Sequence, residues 1–405
     1  MKVLHINQSD TAGGAGIAAY RLHQGLQSHD IESCMLVGRK LTQDETVAPV
    51  GRRRMIDRAS TLAGQLIGLN YIFNRHGLRL GHHDFVKQAD VINLHNLHTG
   101  YINYLGLRSV LGKRPVVYTL HDMWSFTGHC AYSFDCGRWR TGCGSCPHRD
   151  SYPAIWLDNS HMEYRLKKWV FNSAALHVVT PSRWLASLAE ESLLGNQSIH
   201  HIPNGIDTDV FRPLDKLQCR EILGLPATGA VLCYAAEYLD DPRKGGKYLR
   251  DALRALPAGL RKELTLLTFG HDQGVKSLEG VRVVALGFLS SDLLKSVVYA
   301  AADVFVLPSM ADNLPLVLQE ALACGTPLAA FDIGGIPDLV RPGQTGLLAE
   351  QGSSESLCQV LVQLLEDDDT RADMGRLGRE VAEQEFTLEL QVHRYAELYA
   401  NILHG

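Results

Sequence analysis

Apolar residues in this chain form short unbroken runs, separated by longer stretches in which they recur every three or four positions. VLHIN (3–7), SCMLVGRK (33–40), VINL (91–94), VVYTL (116–120) and LHVVT (176–180) are the first set of runs. A second set follows: AVLCYAA (230–236), LTLLTFG (264–270), VRVVALG (281–287), DVFVLPS (303–309) and PLAAF (327–331). Runs of this length without alternation mark strands buried on both faces, and the helical period between them supplies the crossovers of a parallel sheet. The pattern predicts two α/β units, each a Rossmann-like, doubly wound parallel sheet. HHIPNGIDTDVFRP (200–213) breaks the rhythm with Pro and Asn-Gly, so the boundary falls there, with units over 1–205 and 206–385. TLELQVHRYAELYANIL (387–403) reads as an amphipathic helix closing a last segment, 386–405. No internal repeat or low-complexity tract interrupts this organisation.

Length agrees with the pattern, because 405 residues exceed what one core organises. Net charge is −5 and the isoelectric point is near 6.4, which argues against a nucleic-acid groove as the main function. No apolar run reaches the ~18 residues that span a bilayer. MKVLHINQSD reads as a strand, without the charged and apolar regions of a signal peptide, so a cytoplasmic location is expected. The nine cysteines are then expected to be reduced or to hold metal, not to form a disulfide framework.

Three strands carry chemistry just past their ends. SDTAGGAGIAAYRL follows the first, and its Gly14-x-Gly16-x-x-Ala19 spacing nominally matches a dinucleotide fingerprint. Gln8 to Gly13 separate that strand from the fingerprint, and the second strand ends in Arg39 and Lys40, not in a ribose-binding acid. A loop whose N–H groups admit a sugar or phosphate is therefore preferred, with a plain surface turn as the alternative. DVINLHNLHTG and VVYTLHDMWSFTGHC place His95 and His121 at strand ends, structural or ligand-facing, with Asp122 and Trp124 following the second. CAYSFDCGRWRTGCGSC brings Cys130, Cys136, Cys143 and Cys146 together in a Cys-rich insertion near 128–148. A closed structural zinc site is the leading reading of these four, beside a disulfide or plain packing. GRRRMIDRASTLAGQLIGLNYIFNRHGLRLGHH (51–83) mixes six arginines with large apolar residues, a composition suited to an anionic membrane surface or to a solvated helix.

In the second unit, DDPRKGGKYL (240–249) sets Arg243 and Lys244 ahead of a helix, where the dipole disfavours cations unless an anion is bound. SMADNLPLVLQEALACGTPLAAFDIGG (309–335) carries two acids, Asp312 and Glu320. Asn313 is a plausible N-cap, with Leu314 and Pro315 leading into the helix. Glu320, seven residues beyond Asn313, then lies about 10 Å further along, roughly the span from a diphosphate to a ribose. The pattern suits a clamp in which one acid holds a sugar, the helix start a diphosphate and the other acid the ribose.

With these stretches in hand, the whole chain resembles the retaining GT-B glycosyltransferases of family 4 (group 1), bacterial exopolysaccharide branch. The motifs that carry the likeness are GGAG, PSRWL (181–185), IPNGID (202–207), RKGG and DNLPLVLQEALACGTPLAAFDIGGIPDLV, with HDMWSFTGHC pointing to the exopolysaccharide branch. The resemblance implies two Rossmann-like domains facing across a cleft, the last helix crossing back onto the first domain. It implies hexosyl transfer from a nucleotide-diphospho-sugar, best a UDP-hexose, to a glycan or lipid-linked acceptor. Attack would come from the front face, with a donor phosphate oxygen as base and no cofactor required for catalysis. His121 and Asp312 would position the donor sugar, while Gly14, Arg243, Lys244, Asn313, Leu314, Pro315 and Glu320 bind the donor. Gly13, Gly16, His95 and Trp124 would face the acceptor. The chain departs from the family pattern twice: Asp312 stands where the family has Glu, and Tyr238 where it has a phosphate-binding Arg, a role that passes to Arg243. A non-catalytic sugar-nucleotide-binding partner, or a nucleotide-sugar hydrolase or epimerase, are the competing expectations.

Overall fold

The computed structural model describes residues 1–51, 54–78, 80–271 and 278–404; of Arg54 it describes only the backbone. Two compact units result, one formed by Met1–Pro203 with Gln391–Gly405 and the other by Asn204–Leu390.

Within the described residues the first unit is a seven-stranded parallel sheet. Its strands are β1 (Lys2–Ser9), β2 (Glu32–Arg39), β3 (Val47–Pro49), β4 (Val91–Leu94), β5 (Val116–Thr119), β6 (His177–Thr180) and β7 (Ser198–His201). Their spatial order is β3-β2-β1-β4-β5-β6-β7, so the chain starts in the middle and winds outward both ways. β1 pairs with β4 in parallel, with His5 opposite Asn93. Ile6, Leu36, Ile92, Leu94 and Val178 are buried in one core. Polar residues also lie inside these strands, and those of β4 and β5 are hydrogen-bonded to one another and to the last helix. Thr119 Oγ1 donates to Asn93 Oδ1 at 2.9 Å and lies 2.9 Å from Tyr395 Oη, while Asn93 Nδ2 donates to Tyr399 Oη at 2.8 Å. Both tyrosines belong to the last helix, Leu388–His404, whose residues from Gln391 onward group with this sheet.

The second unit is a six-stranded parallel sheet built from β8 (Val231–Tyr238), β9 (Thr265–His271), β10 (Arg282–Ala285), β11 (Val304–Leu307), β12 (Leu328–Phe331) and β13 (Gly346–Ala349). The order is β10-β9-β8-β11-β12-β13. β3, β7 and β13 are absent from the apolar pattern for a physical reason. They are edge strands of three or four residues, and SIHH of β7 has no fully buried position to demand an apolar run.

Asp303 anchors the start of β11. Its carboxylate accepts from Arg220 Nη2 at 2.6 Å, Lys216 Nζ at 2.8 Å and the Val231 N–H at 2.7 Å. Burial alone would raise its pKa, but Lys216, the Val231 N–H and Arg220 hold it below the usual carboxylate value. Asp303→Ala leaves the buried Arg220 guanidinium uncompensated and should cost about 3 kcal/mol at neutral pH. Because the folded-state pKa is depressed, that stability is present above the unfolded value near ~4 and fades as pH falls through the folded one. Urea titrations at neutral and acidic pH check this: the gap between wild type and variant should close only at the acid end.

Candidate functional site

In an open doubly wound sheet a ligand crevice opens at the carboxyl ends of the two strands between which the winding reverses. In the first unit those strands are β1 and β4; in the second they are β8 and β11. The residues singled out from sequence follow these strands or their neighbours.

After β8, a short 3-10 turn at Pro242–Lys244 is capped by Asp241, whose carboxylate accepts the Arg243 N–H at 2.9 Å. Gly245 follows at φ +74, and a side chain there would collide with the Pro308 carbonyl in the loop after β11. The two loops are also joined by the Met310 N–H donating to the Arg243 carbonyl at 2.7 Å. This close approach brings Lys244 Nζ to 2.6 Å from Asp312 Oδ2, with Arg243 Nη1 at 3.8 Å from the same oxygen. Arg243 Nη1 also donates to the Ala311 carbonyl at 2.9 Å. Gly334, at φ +56, backs the other side: a side chain there would strike the Asp312 carbonyl. Burial raises the Asp312 pKa, but the cations of Lys244 and Arg243 outweigh it and leave the carboxyl below its ordinary value. Burial lowers Lys244, and Asp312 opposes that shift only in part.

Lys244 and Asp312, assigned from sequence to different ends of a donor, form one ion pair in the absence of ligand. Arg243 has Asp241 and Asp312 as its carboxylate neighbours ahead of the helix. Asn313 does not cap the next helix, which runs Leu316–Ala323 with Pro315 at the N-cap position and no side-chain cap. Proline fixes φ but has no cap oxygen to offer, so the helix starts after it, later than the Asn313 assignment predicts. Glu320 is therefore only four residues in, about 6 Å from the helix start rather than 10 Å. Its Oε2 accepts from Tyr299 Oη at 2.9 Å, a partner on the preceding helix, Asp292–Ala301, that the acid's spacing alone could not reveal. Leu314, like Asn313, is buried in the loop before this helix.

In the first unit Gly13 opens helix Gly13–Ser28 at φ +72, with Ala12 at the N-cap and no side-chain cap. A side chain on Gly14 would meet nothing within 4 Å, whereas one on Gly16 would touch the Asp10 and Ser9 carbonyls at 3.4 Å. The open space is thus at Gly14, while a side chain at Gly16 would rest in ordinary contact with the loop backbone. Asp10, which sequence reading passed over, fixes the loop. Its carboxylate accepts from the N–H groups of Thr11, Leu41 and Thr42 and from the Thr42 hydroxyl, all at 2.9–3.0 Å.

Across the same sheet edge three imidazoles line up. His5 Nδ1 lies 3.0 Å from His95 Nε2, and His95 Nδ1 lies 3.0 Å from His121 Nε2. The row follows from sheet order, since β1, β4 and β5 are adjacent and each contributes one ring. Burial keeps all three neutral, His5 and His95 well below the ordinary value and His121 down to about 4 against the pull of Asp122. His5 Nε2 is buried without a hydrogen-bond partner. An unmatched lone pair there costs less than an orphaned N–H, which sets the proton on Nδ1 of each ring. His5 then donates to His95, and His95 to His121, so that His121 carries its own proton on Nδ1. His98 Nε2, 2.8 Å from Asp122 Oδ2, flanks the row together with Tyr152, whose Oη is 3.2 Å from His98 Nδ1.

His95, His121, His98 and Asp122 line one small pocket, and Trp124 closes its inner side. Trp124 is buried at 1 % exposure, beneath Lys167 Nζ at 3.7 Å and against Tyr71 and Tyr104. It is a buried residue that also lines the pocket holding His95 and His121.

The four clustered cysteines are free. Cys143 Sγ accepts the Gly128 N–H at 3.1 Å, and Cys146 Sγ lies 3.3 Å from His129 Nε2. Burial pushes Cys143 up to about 11 and Cys130 up to about 12, so both remain thiols at neutral pH. Among the described residues no three His, Cys, Asp or Glu side chains are grouped to hold a metal ion. Cys130 feels the charges of Cys143 and Cys146, and Cys136 acts on both Cys143 and Cys146, so the four thiols lie near one another. Zinc at these positions is a proposal: metal analysis of protein purified without added metal should find one zinc per chain, and its absence together with four titratable thiols would leave only packing.

Comparison with known proteins bears on the geometry of both units. A family described as Glycosyltransferase Family 4 matches residues 12–210, and one described as Glycosyl transferases group 1 matches residues 229–367. The chain belongs to the family 4, group 1 glycosyltransferases. It is 27% identical over 422 residues to a colanic acid biosynthesis glycosyl transferase, WcaC of Escherichia coli K12, covering 99% of this chain and 100% of that one. A GDP-mannose-dependent phosphatidylinositol monomannoside mannosyltransferase of Corynebacterium glutamicum is 32% identical, over 50% of this chain and 56% of its own length. Among solved structures, sucrose-phosphate synthase from Thermosynechococcus elongatus superposes with a TM-score of 0.73 at 18% identity, covering 99% of each chain. Anabaena HepE in complex with UDP-glucose does so at 0.69 and 21% identity, covering 99% of this chain and 100% of its own. These likenesses establish the GT-B fold for this glycosyltransferase.

Proposed function

We propose that this glycosyltransferase moves a hexosyl group from a nucleotide-diphospho-sugar to a glycan or lipid-linked acceptor in polysaccharide biosynthesis, with retention at the anomeric carbon. The favoured donor is a UDP-hexose, UDP-glucose first. The observation that carries the reading is the Arg243–Lys244 pair held against Asp312 at the switch point of the second unit. A diphosphate reaching that point exchanges with Asp312 as the partner of Lys244, and its growing charge is neutralised as the sugar leaves. The released Asp312 carboxylate then accepts from sugar hydroxyls, and Glu320, oriented by Tyr299, accepts from the ribose. In the first unit, His121 positions the donor sugar, with its ring held by the row of imidazoles behind it.

Relatives named for GDP-mannose make a GDP-sugar the second donor class. A thermal-shift panel of UDP-, GDP- and ADP-sugars separates these, since a ligand at 100 times its Kd stabilises by about 2.7 kcal/mol. UDP-glucose should give the largest shift, and the anomeric configuration of the product should match the donor. Donor breakdown without acceptor would overturn transfer in favour of hydrolysis. We place the reaction on the cytoplasmic side of the membrane.

A further inference from the structure

Helix Arg54–Ile67 is inside out. Its inward side carries Asp57, buried and 3.2 Å from His76 Nε2, and Gly64, also buried. Thr61 packs on the same side, so close to Gly100 that a side chain there would strike its hydroxyl. Met55, Ala59, Leu62 and Leu66 are exposed, Met55 by 86%. At 3.6 residues per turn these four fall within about 60° of arc, opposite Asp57 and Gly64. A helix that buries its polar side and leaves an apolar stripe in water has its hydrophobic driving force unspent.

The stripe continues onto a second segment. The Trp156 N–H donates to the Gln65 carbonyl at 2.9 Å and the Leu157 N–H to the Leu66 carbonyl at 3.3 Å. Both side chains are exposed, Trp156 by 67%. Gly68, at φ +72, lies so close to the Leu157 carbonyl that no side chain would fit, which seats this segment beside the helix end. Exposed Trp and Leu side by side are the anchors that favour a bilayer's interfacial zone.

Charge names the occupant. Residues 46–83 contain six arginines and a single acid, Asp57, which is buried, in a chain whose net charge is −5. Arg58 is exposed at the edge of the stripe and Arg75 is exposed in the segment that follows the helix, while Arg52, Arg53 and Arg79 lie outside the described residues. A basic, apolar face on an otherwise acidic protein complements an anionic lipid surface and repels a second copy bearing the same face. No described helix is long and apolar enough to cross a membrane, so the contact is one of lying on the surface.

We infer that the face formed by Met55, Leu62, Leu66, Trp156 and Leu157, flanked by Arg58, docks on an anionic bilayer. This goes beyond the transfer reaction and does not depend on it. The full chain should co-sediment with phosphatidylcholine vesicles containing phosphatidylglycerol and remain in solution with phosphatidylcholine alone. Met55→Ser, Leu62→Ser and Leu66→Ser combined should lower the partition coefficient at least about tenfold, and Trp156→Ser separately several-fold. Arg58→Glu should lower it about fivefold or more on the anionic vesicles only. Thermal melting should show the variants folded, since none of the replaced side chains is buried. Equal partition onto both vesicle types, or none onto either, would overturn the proposal. So would a concentration-dependent dimer abolished by the triple variant while wild type ignores lipid, which would give the face to a second copy.

Discussion

Lys244→Ala lowers affinity for free UDP by about one to two decades and slows turnover as well. Charge-assisted hydrogen bonds are worth about 1.5–3 kcal/mol, which sets the size of the binding loss. The turnover loss follows because charge on the departing diphosphate grows towards the transition state. The ion pair adds a signature that electrostatic weakening alone would lack. Burial already pushes the Asp312 carboxyl up, and Lys244 is the first of the groups that bring it back down. With Lys244 gone, the folded-state pKa of Asp312 rises. Residual activity should then increase with pH over a range where the wild type is already flat. Calorimetry with UDP and a pH–rate profile test both parts, and a variant with unchanged UDP affinity would remove Lys244 from the donor site.

Asp312→Asn should behave in the opposite sense on binding and in the same sense on rate. The buried carboxylate competes with an incoming diphosphate for Lys244 at 2.6 Å. Removing its charge while keeping its shape should leave UDP affinity at least equal to wild type, tightened by up to about tenfold. Transfer should nonetheless fall by about a hundredfold or more, because the sugar loses the acceptor that orients it. Asp312→Glu is the control, restoring the family's longer acid, and should retain activity if the pair can accommodate one more methylene. If Asp312→Asn loses UDP as severely as Lys244→Ala, the carboxylate is needed to keep Lys244 charged and does not compete for it. If transfer survives, Asp312 is a structural partner of Lys244 alone.

Much of this was legible from residue order. Strands buried on both faces leave unbroken apolar runs, so β1, β4, β8 and β11 are visible, and with them the switch points that carry Arg243, Lys244, Asp312 and His95. Contacts made by long-range pairing are less visible. His5 looks like a stray polar residue within VLHIN, and only the parallel pairing of β1 with β4 sets it against His95. The contact of Lys244 with Asp312 joins residues 68 apart and depends on two loops converging, which spacing does not encode. The start of the helix before Glu320 was misplaced because Asn-Leu-Pro offers two plausible beginnings, and local preference ranks the asparagine first. The orientation of helix Arg54–Ile67 is the clearest failure of periodicity. Its apolar stripe is real, but a period says which residues share a face and not which way that face turns.

The glycine closures in the second unit bear on the timing of any encounter with nucleotide. Gly245 against Pro308, Gly334 against Asp312 and the Met310-to-Arg243 hydrogen bond fasten the loops after β8, β11 and β12 into one stiff block. A site fastened in this way has already lost its conformational freedom during folding, so a ligand meets loops that need no ordering. Association with this unit should therefore be set by diffusion and by the attraction between a polyanion and the two cations. The dissociation rate is then where changes at these residues will be felt most.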